Sequence, residues 1–503
     1  MNPNSHIKTL GQLKASGYAS RSVKEEMREN LVRALREKKN LFGEIKGYEE
    51  TVIPQLQTAI LSRHNIILLG LRGQAKTKIA RLMTNLLDEY MPIVAFSEAN
   101  DDPLNPLTRY AKDVIDEKGD ETPISWVHRS ERYTEKLATP DVSVSDLIGD
   151  LDPIKAASLK LTYADERVIH FGLIPRSHRS IFVINELPDL QARIQVALFN
   201  ILQEGDIQIR GFKLRLPLDI QFVFTANPED YTNRGSIVTP LKDRIDSQIL
   251  THYPKSPEVS KLITSQEAKL TPFQKECIKM PELLKDLLEN VSFEARASEY
   301  IDQKSGVSAR LTISALENLY STAERRLLIN GENSTSGRIS DLFGTIPSIT
   351  GKVELVYEGE LEGISNVAYF LVGKTVRKAF EKIYPSPEKI KKSKKDNPYK
   401  KITDWFSDGN YIDLVQNMSN AEYEKSLESI PGLKETVLHY QPGLSKEDLN
   451  LQMELLLHGL AETSQISKQK LDEGIQFKDL MSTMFNLGPE PDADETDFGF
   501  GRN

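Results

Sequence analysis

Asn65-Ile66-Ile67-Leu68-Leu69 is a short apolar run that leads directly into Gly70-Leu71-Arg72-Gly73-Gln74-Ala75-Lys76-Thr77, and behind it Ile79, Leu82, Met83, Leu86 and Leu87 recur at helical spacing. A strand, a glycine-containing turn and an amphipathic helix in that order constrain the fold strongly. The chain must cross over before its next strand can pair, which is the signature of a parallel α/β sheet. The turn matches the pattern G-x-x-x-x-G-K-[ST] at Gly70, Lys76 and Thr77, with Ala75 at the second glycine position. In such a turn backbone N–H groups cradle phosphates, the lysine reaches the outer phosphates and the hydroxyl takes a magnesium position. A bound nucleotide is therefore expected, with Gly70, Gly73, Gln74, Ala75, Lys76 and Thr77 around its phosphates. Ala75 adds a methyl group where backbone must approach phosphate, a moderate cost that leaves the N–H donor in place.

From about residue 41 to 253, short apolar stretches at 66–69, 93–96, 181–184 and 222–225 alternate with helical patterns, which predicts a mostly parallel sheet covered by helices. Residues 207–216 alternate apolar and polar on both sides of Arg210-Gly211 and predict a β-hairpin. Before residue 40, Val23, Met27, Leu31 and Leu35 mark a polar helical arm with one apolar stripe. Residues 256–330 carry helical periodicity at Leu283, Leu284, Leu287 and Leu288 and suggest a smaller helical domain. Residues 331–488 form an extension of unknown role, with β-formers and glycine at 343–363 and a lysine-rich solvated stretch at 389–401; residues 489–503 are an acidic tail expected to be disordered.

Two further strands end in polar residues. Ser180-Ile181-Phe182-Val183-Ile184-Asn185-Glu186 places its last two beside the phosphate turn, at the carboxyl edge where open α/β sheets bind ligands. Glu186 is the expected base for an attacking water, and Asn185 stands where a metal-supporting aspartate is usual. Its amide oxygen can accept from a metal-bound water but carries no charge. Gln221-Phe222-Val223-Phe224-Thr225-Ala226-Asn227-Pro228 ends in Asn227, which could bond the attacking water or the terminal phosphate. Asp243-Arg244 offers a cation for a phosphate held by a neighbouring subunit, and Ser308-Ala309-Arg310 opens a later helix.

Composition narrows the class. With a formal charge of -9 over 503 residues, a broadly basic nucleic-acid protein is not expected, and Cys277, the only cysteine, permits no internal disulfide or cysteine zinc site. The opening residues lack the basic and then apolar order of an export signal, and no apolar run nears the ~20 residues that span a bilayer. Cytoplasm is the expected compartment. His128, His170 and His178 lack metal-ligand spacing and are expected to be structural.

Read in order, these elements resemble the AAA+ ATPases over about residues 41–330, and within them the group of the magnesium chelatase ATPase subunit and the MoxR proteins. The more diagnostic stretches run from Leu137-Ala138-Thr139-Pro140-Asp141 to Asp152, and through Phe171-Gly172-Leu173-Ile174-Pro175-Arg176-Ser177-His178-Arg179-Ser180. The resemblance implies an α/β P-loop parallel-sheet domain with a helical lid domain and a mixed C-terminal extension. It implies ATP and Mg2+, with Lys76 and Thr77 at phosphate and metal, Asn185 and Glu186 as the acidic-strand pair, Asn227 as first sensor and Arg310 as second sensor in cis. Arg244 would be an arginine finger acting in trans, which requires a homo-oligomeric ring, usually a hexamer. Such rings commonly remodel a partner carrying a von Willebrand factor A domain. The alternatives are a nucleotide-gated scaffold with little hydrolysis and the ATPase subunit of a true metal-porphyrin chelatase. A DNA motor using Lys213 and Arg215 is the weakest.

Overall fold

The computed structural model describes residues 6–162, 165–209, 215–228, 236–393, 396–471 and 474–480. Lys213, the hairpin tip at Arg210-Gly211 and the acidic tail at 489–503 lie outside the described residues. The chain divides into two compact units, Met1–Lys255 and Ser256–Asn503.

In the first unit the principal elements, in chain order, are helix α1 (Val23–Arg36), strand β1 (Ile66–Leu69), helix α2 (Lys76–Leu82), strands β2 (Tyr133–Leu137) and β3 (Ser180–Asn185), helix α3 (Ala192–Glu204), and strands β4 (Ile220–Ala226) and β5 (Ser247–Leu250). The five strands form one parallel sheet in the order β5-β1-β4-β3-β2. The three central strands are buried along their whole length, as their unbroken apolar runs require when helices cover both faces. Strand alternation divides their side chains between two cores. Ile67, Leu69, Phe182, Ile184, Phe222 and Phe224 pack with Ile194, Leu198 and Ile201 of α3. On the opposite face Ile66, Leu68, Ile181, Val183 and Val223 meet Ile79 and Ala80 of α2 and Val23, Met27 and Leu31 of α1.

The last of these contacts corrects one expectation. The segment before residue 40 is not an arm, because the apolar stripe of α1 is a wall of the core. The 93–96 expectation also changes. The strand there is Tyr90–Val94, and it pairs antiparallel with Ile124–His128 outside the main sheet. Pro92 lies inside it and has no N–H for a central ladder, which suits an edge. The hairpin stands as expected at its base, Asp206–Gln208 against Arg215–Pro217.

The second unit has one continuous hydrophobic core running from Ile278 to Phe477, built mainly on helices α4 (Glu282–Arg296), α5 (Arg310–Asn330), α6 (Ile364–Ile383) and α7 (Lys446–Glu462). A three-stranded antiparallel sheet joins it, with Gly474–Lys478 between Ile412–Val415 and Ser467–Leu471. Among the described residues this core continues past residue 330. Of residues 343–363, expected as β-rich, most fall within short helices at Ile339–Thr345, Ile346–Thr350 and Tyr357–Glu362, and only Leu355 forms an isolated bridge, to Ile301. Burial of Leu342, Ile346 and Ile349 decides their conformation over propensity. Within the lysine-rich stretch, Pro387–Ser393 is helical. Among the described residues no helix is long and apolar enough to cross a membrane.

Candidate functional site

Parallel pairing brings three strand ends to one edge of the sheet. Leu69 lies beside Ala226, and the Gly70 N–H donates to the Ala226 carbonyl over 3.1 Å, so the turn after β1 starts next to Asn227. Phe224 pairs with Ile184, which sets Thr225 beside Asn185.

The turn is held from behind. A Cβ at Gly70 would lie 1.9 Å from Thr251 Oγ1 and 2.1 Å from Gln74 Oε1, so no side chain fits there. Thr251 Oγ1 donates to Gln74 Oε1 at 2.7 Å, and the Tyr253 hydroxyl donates to the Arg72 carbonyl at 2.9 Å. The buried Tyr48 hydroxyl lies between the carbonyls of His252 at 2.7 Å and Gln74 at 3.1 Å. Gly73 and Ala75 have φ of 74° and 57°, the left-handed region in which successive N–H groups form an anion-binding concavity. Ala75 keeps that conformation as the residue before α2 despite its methyl group. Lys76 is buried, and its ammonium bonds the Gly70 carbonyl and, at 3.2 Å, the Leu71 carbonyl. It thus folds over the turn whose phosphates it would neutralise.

Asn185 and Glu186 are joined through Thr225. Thr225 Oγ1 donates to Asn185 Oδ1 at 3.1 Å and accepts from the Glu186 N–H at 3.2 Å. Asn185 Nδ2 donates to Glu135 Oε1 on β2 at 2.6 Å. A carboxylate can face only the NH2 side of an amide, so Glu135 fixes which way Asn185 points. The amide oxygen is thereby directed to Thr225. Glu135 Oε2 in turn accepts from Arg81 of α2 at 2.9 and 3.1 Å and from the Tyr133 hydroxyl at 3.1 Å. Burial and the Glu135 charge push the Tyr133 phenol well up, which keeps it a donor. Glu186 has φ of 54°, a conformation costly for a residue with a Cβ, of the kind that clusters at functional sites.

The remaining candidates lie at the ends of three different elements. Asn227 is buried at the end of β4. Arg244 donates to Gln203 Oε1 at 2.6 and 2.9 Å and to the Pro240 carbonyl at 2.8 Å, and its guanidinium lies 5.3 Å from the Phe199 ring centre. It is docked within its own chain, against α3. Arg310 is the exposed first residue of α5, in the second unit. In the run before β3, Arg179 donates to the Pro92 carbonyl at 2.8 Å, and buried His178 accepts the Asp219 N–H at 3.0 Å.

Among the described residues no group of three or more His, Cys, Asp or Glu stands close enough to hold a metal ion. The donor set still suits magnesium, which keeps several waters and takes one hydroxyl or carboxylate with phosphate oxygens. Thr77, the second residue of α2, lies beside the turn and could provide the hydroxyl. Glu135, Thr225, Arg81 and the Tyr48–Thr251–Tyr253 support were not singled out from the sequence. The one local signal was a threonine inside the apolar run of β4.

No protein-family model matches the chain. Solved structures similar to it include NtrX from Brucella abortus in complex with ATP, at 14% identity and a TM-score of 0.32, covering 58% of this chain and 55% of that one. RuvB from Thermotoga maritima matches at 11% identity and a TM-score of 0.34, covering 68% and 79%. The complex of the BchI and BchD subunits of magnesium chelatase matches at 19% identity and a TM-score of 0.32, covering 64% and 98%. The chain spans about half the length of the NtrX structures it matches.

Proposed function

We propose that this chain is an ATP-binding and ATP-hydrolysing ring protein of the AAA+ type, similar to the magnesium chelatase ATPase subunit and the MoxR proteins, and that it remodels a partner. The observation that carries this is the meeting at one sheet edge of the Gly70–Thr77 turn with Glu186 and Asn227. Lys76 would bind the outer phosphates in place of the two carbonyls it now meets, and Thr77 would offer its hydroxyl to magnesium. The ion would neutralise charge developing on the phosphates. Glu186 would orient a water in line with the terminal phosphate and accept its proton, and Asn227 would bond the same water or phosphate. Arg244, once released from Gln203, would stabilise charge in the neighbouring subunit's site, and Arg310 is the proposed second sensor. A hexamer, a cytoplasmic setting and a partner with a von Willebrand factor A domain belong to the same proposal.

The test is magnesium-dependent phosphate release by the purified chain, compared with Glu186→Gln, which should keep ATP binding and lose turnover by about a hundredfold or more. Unchanged turnover in that variant rejects Glu186 as the base. A second reading, a nucleotide-gated scaffold, is favoured by one observation: Asn185 is uncharged and its amide is engaged on both sides. ATP-dependent assembly with negligible phosphate release would select it.

A further inference from the structure

The carboxylate that β3 lacks at Asn185 is present one strand away. Leu137 of β2 pairs with Asn185, and Glu135, two residues earlier, lies on the same face of the sheet. Such diagonal neighbours are within reach of a long side chain, and the Glu135 carboxylate closes the gap to Asn185 at 2.6 Å. That face looks toward α2, because Arg81 of α2 pairs with the same carboxylate. Thr77 precedes Arg81 by one turn on the same stripe of the helix, about 6 Å along its axis. Glu135 thus stands between the acidic-strand position and the helix that bears the magnesium hydroxyl.

A bland account makes Glu135 a counter-ion for Arg81. The Arg81 side chain is 65% exposed, whereas that of Glu135 is 23% exposed, and exposed pairs of this kind contribute little. The inward contact with buried Asn185 is charge-assisted and short, and it fixes the amide. Exposure of this order also leaves the carboxylate open to water, through which magnesium usually meets such groups.

Taking the ATP reading above as given, we propose that Glu135 is the positioning carboxylate of the magnesium shell, transferred from β3 to β2, and that it acts through metal-bound water. Asn185 then serves as its hydrogen-bonded support. The transfer makes a specific demand on substitutions. Asn185→Asp, which restores the usual residue, would place two carboxylates at hydrogen-bonding distance. Like charges that close cannot both stay ionised, so this variant should weaken the response to magnesium. Moving the charge back, with Asn185→Asp and Glu135→Gln together, should restore it.

The experiment is a fluorescent-ATP titration of the full chain in EDTA and in saturating magnesium, the readout being the ratio of the two affinities. Glu135→Gln should lose about tenfold or more of the magnesium effect while keeping its affinity in EDTA, the range seen when outer-shell metal partners are removed. The double variant should regain it, and Arg81→Ala, which keeps the carboxylate, should retain it. A magnesium effect in Glu135→Gln within about twofold of wild type overturns the proposal. So does a loss of about tenfold or more against wild type in Arg81→Ala, which does not depend on Glu135→Gln folding. ATP binding by the wild type that ignores magnesium also rejects it and leaves the nucleotide site standing. Absence of ATP binding in both media instead rejects the nucleotide site itself.

Discussion

Glu26 and Arg132 form a bidentate ion pair, with Arg132 donating at 2.7 and 2.6 Å, between side chains 7% and 1% exposed. Arg132 also donates to the Arg179 carbonyl at 2.8 and 3.0 Å, so a single guanidinium joins α1, the start of β2 and the entry to β3. Removing one partner leaves the other charged and buried. Glu26→Ala or Arg132→Ala should destabilise the first unit by about 3–5 kcal/mol, read as a fall in the denaturation midpoint.

At Ala75 the left-handed backbone carries a methyl group. Glycine relieves that strain but gains freedom in the unfolded chain, so Ala75→Gly should stabilise by less than about 1 kcal/mol and keep ATP affinity. Ala75→Val puts a β-branched side chain at positive φ and should cost more than about 1 kcal/mol and weaken ATP binding. Chemical denaturation and a nucleotide titration separate the two.

Gly70→Ala should abolish tight ATP binding, because its Cβ would displace either Thr251 or Gln74 from behind the turn. Thr251→Ser keeps the hydroxyl and should bind nearly as wild type. Calorimetric titration with ATP checks both.

His178 and Asp219 give the first unit opposing pH responses. Burial, then the Arg179 charge, lowers His178 from 6.5 to about 4, so its stabilising effect is complete above pH 6.5 and is lost as pH falls toward 4. Burial raises Asp219 from 3.8 to about 6, against the Val23 N–H that favours its ionised form. Its stabilising effect is therefore complete below pH 3.8 and is lost as pH rises through 6. Between these limits the slopes oppose each other. Asp219→Asn keeps an acceptor for Val23 and removes one slope, so its stability should fall on acidification by up to about 1.4 kcal/mol per pH unit more than wild type. Denaturant unfolding at several pH values measures the difference.

The central strands were legible in the sequence because burial on both faces leaves β1, β3 and β4 as unbroken apolar runs, and their polar ends pointed to Asn185, Glu186 and Asn227. The edge strands were not. Tyr133-Thr134-Glu135-Lys136-Leu137 and Ser247-Gln248-Ile249-Leu250 mix polar and apolar residues, and neither stands out from a loop. The periodicity of α1 showed a stripe without showing what covers it. Glu135 was hidden for a different reason: its contact with Asn185 depends on strand register, which spacing along the chain does not encode.

The supports behind the phosphate turn come from the two ends of the first unit. Tyr48 precedes β1, whereas Thr251 and Tyr253 follow β5, and Thr251 and Gln74 are separated by 177 positions. Contacts so distant along the chain close late, after the intervening segments have collapsed. During synthesis the glycine turn and Tyr48 are complete long before residue 251 is made, yet Thr251 and Tyr253 arrive only after the last strand. A growing chain would therefore carry the sequence for nucleotide binding through most of the first unit's synthesis before it could hold a nucleotide firmly, and ATP could aid folding only at the final step.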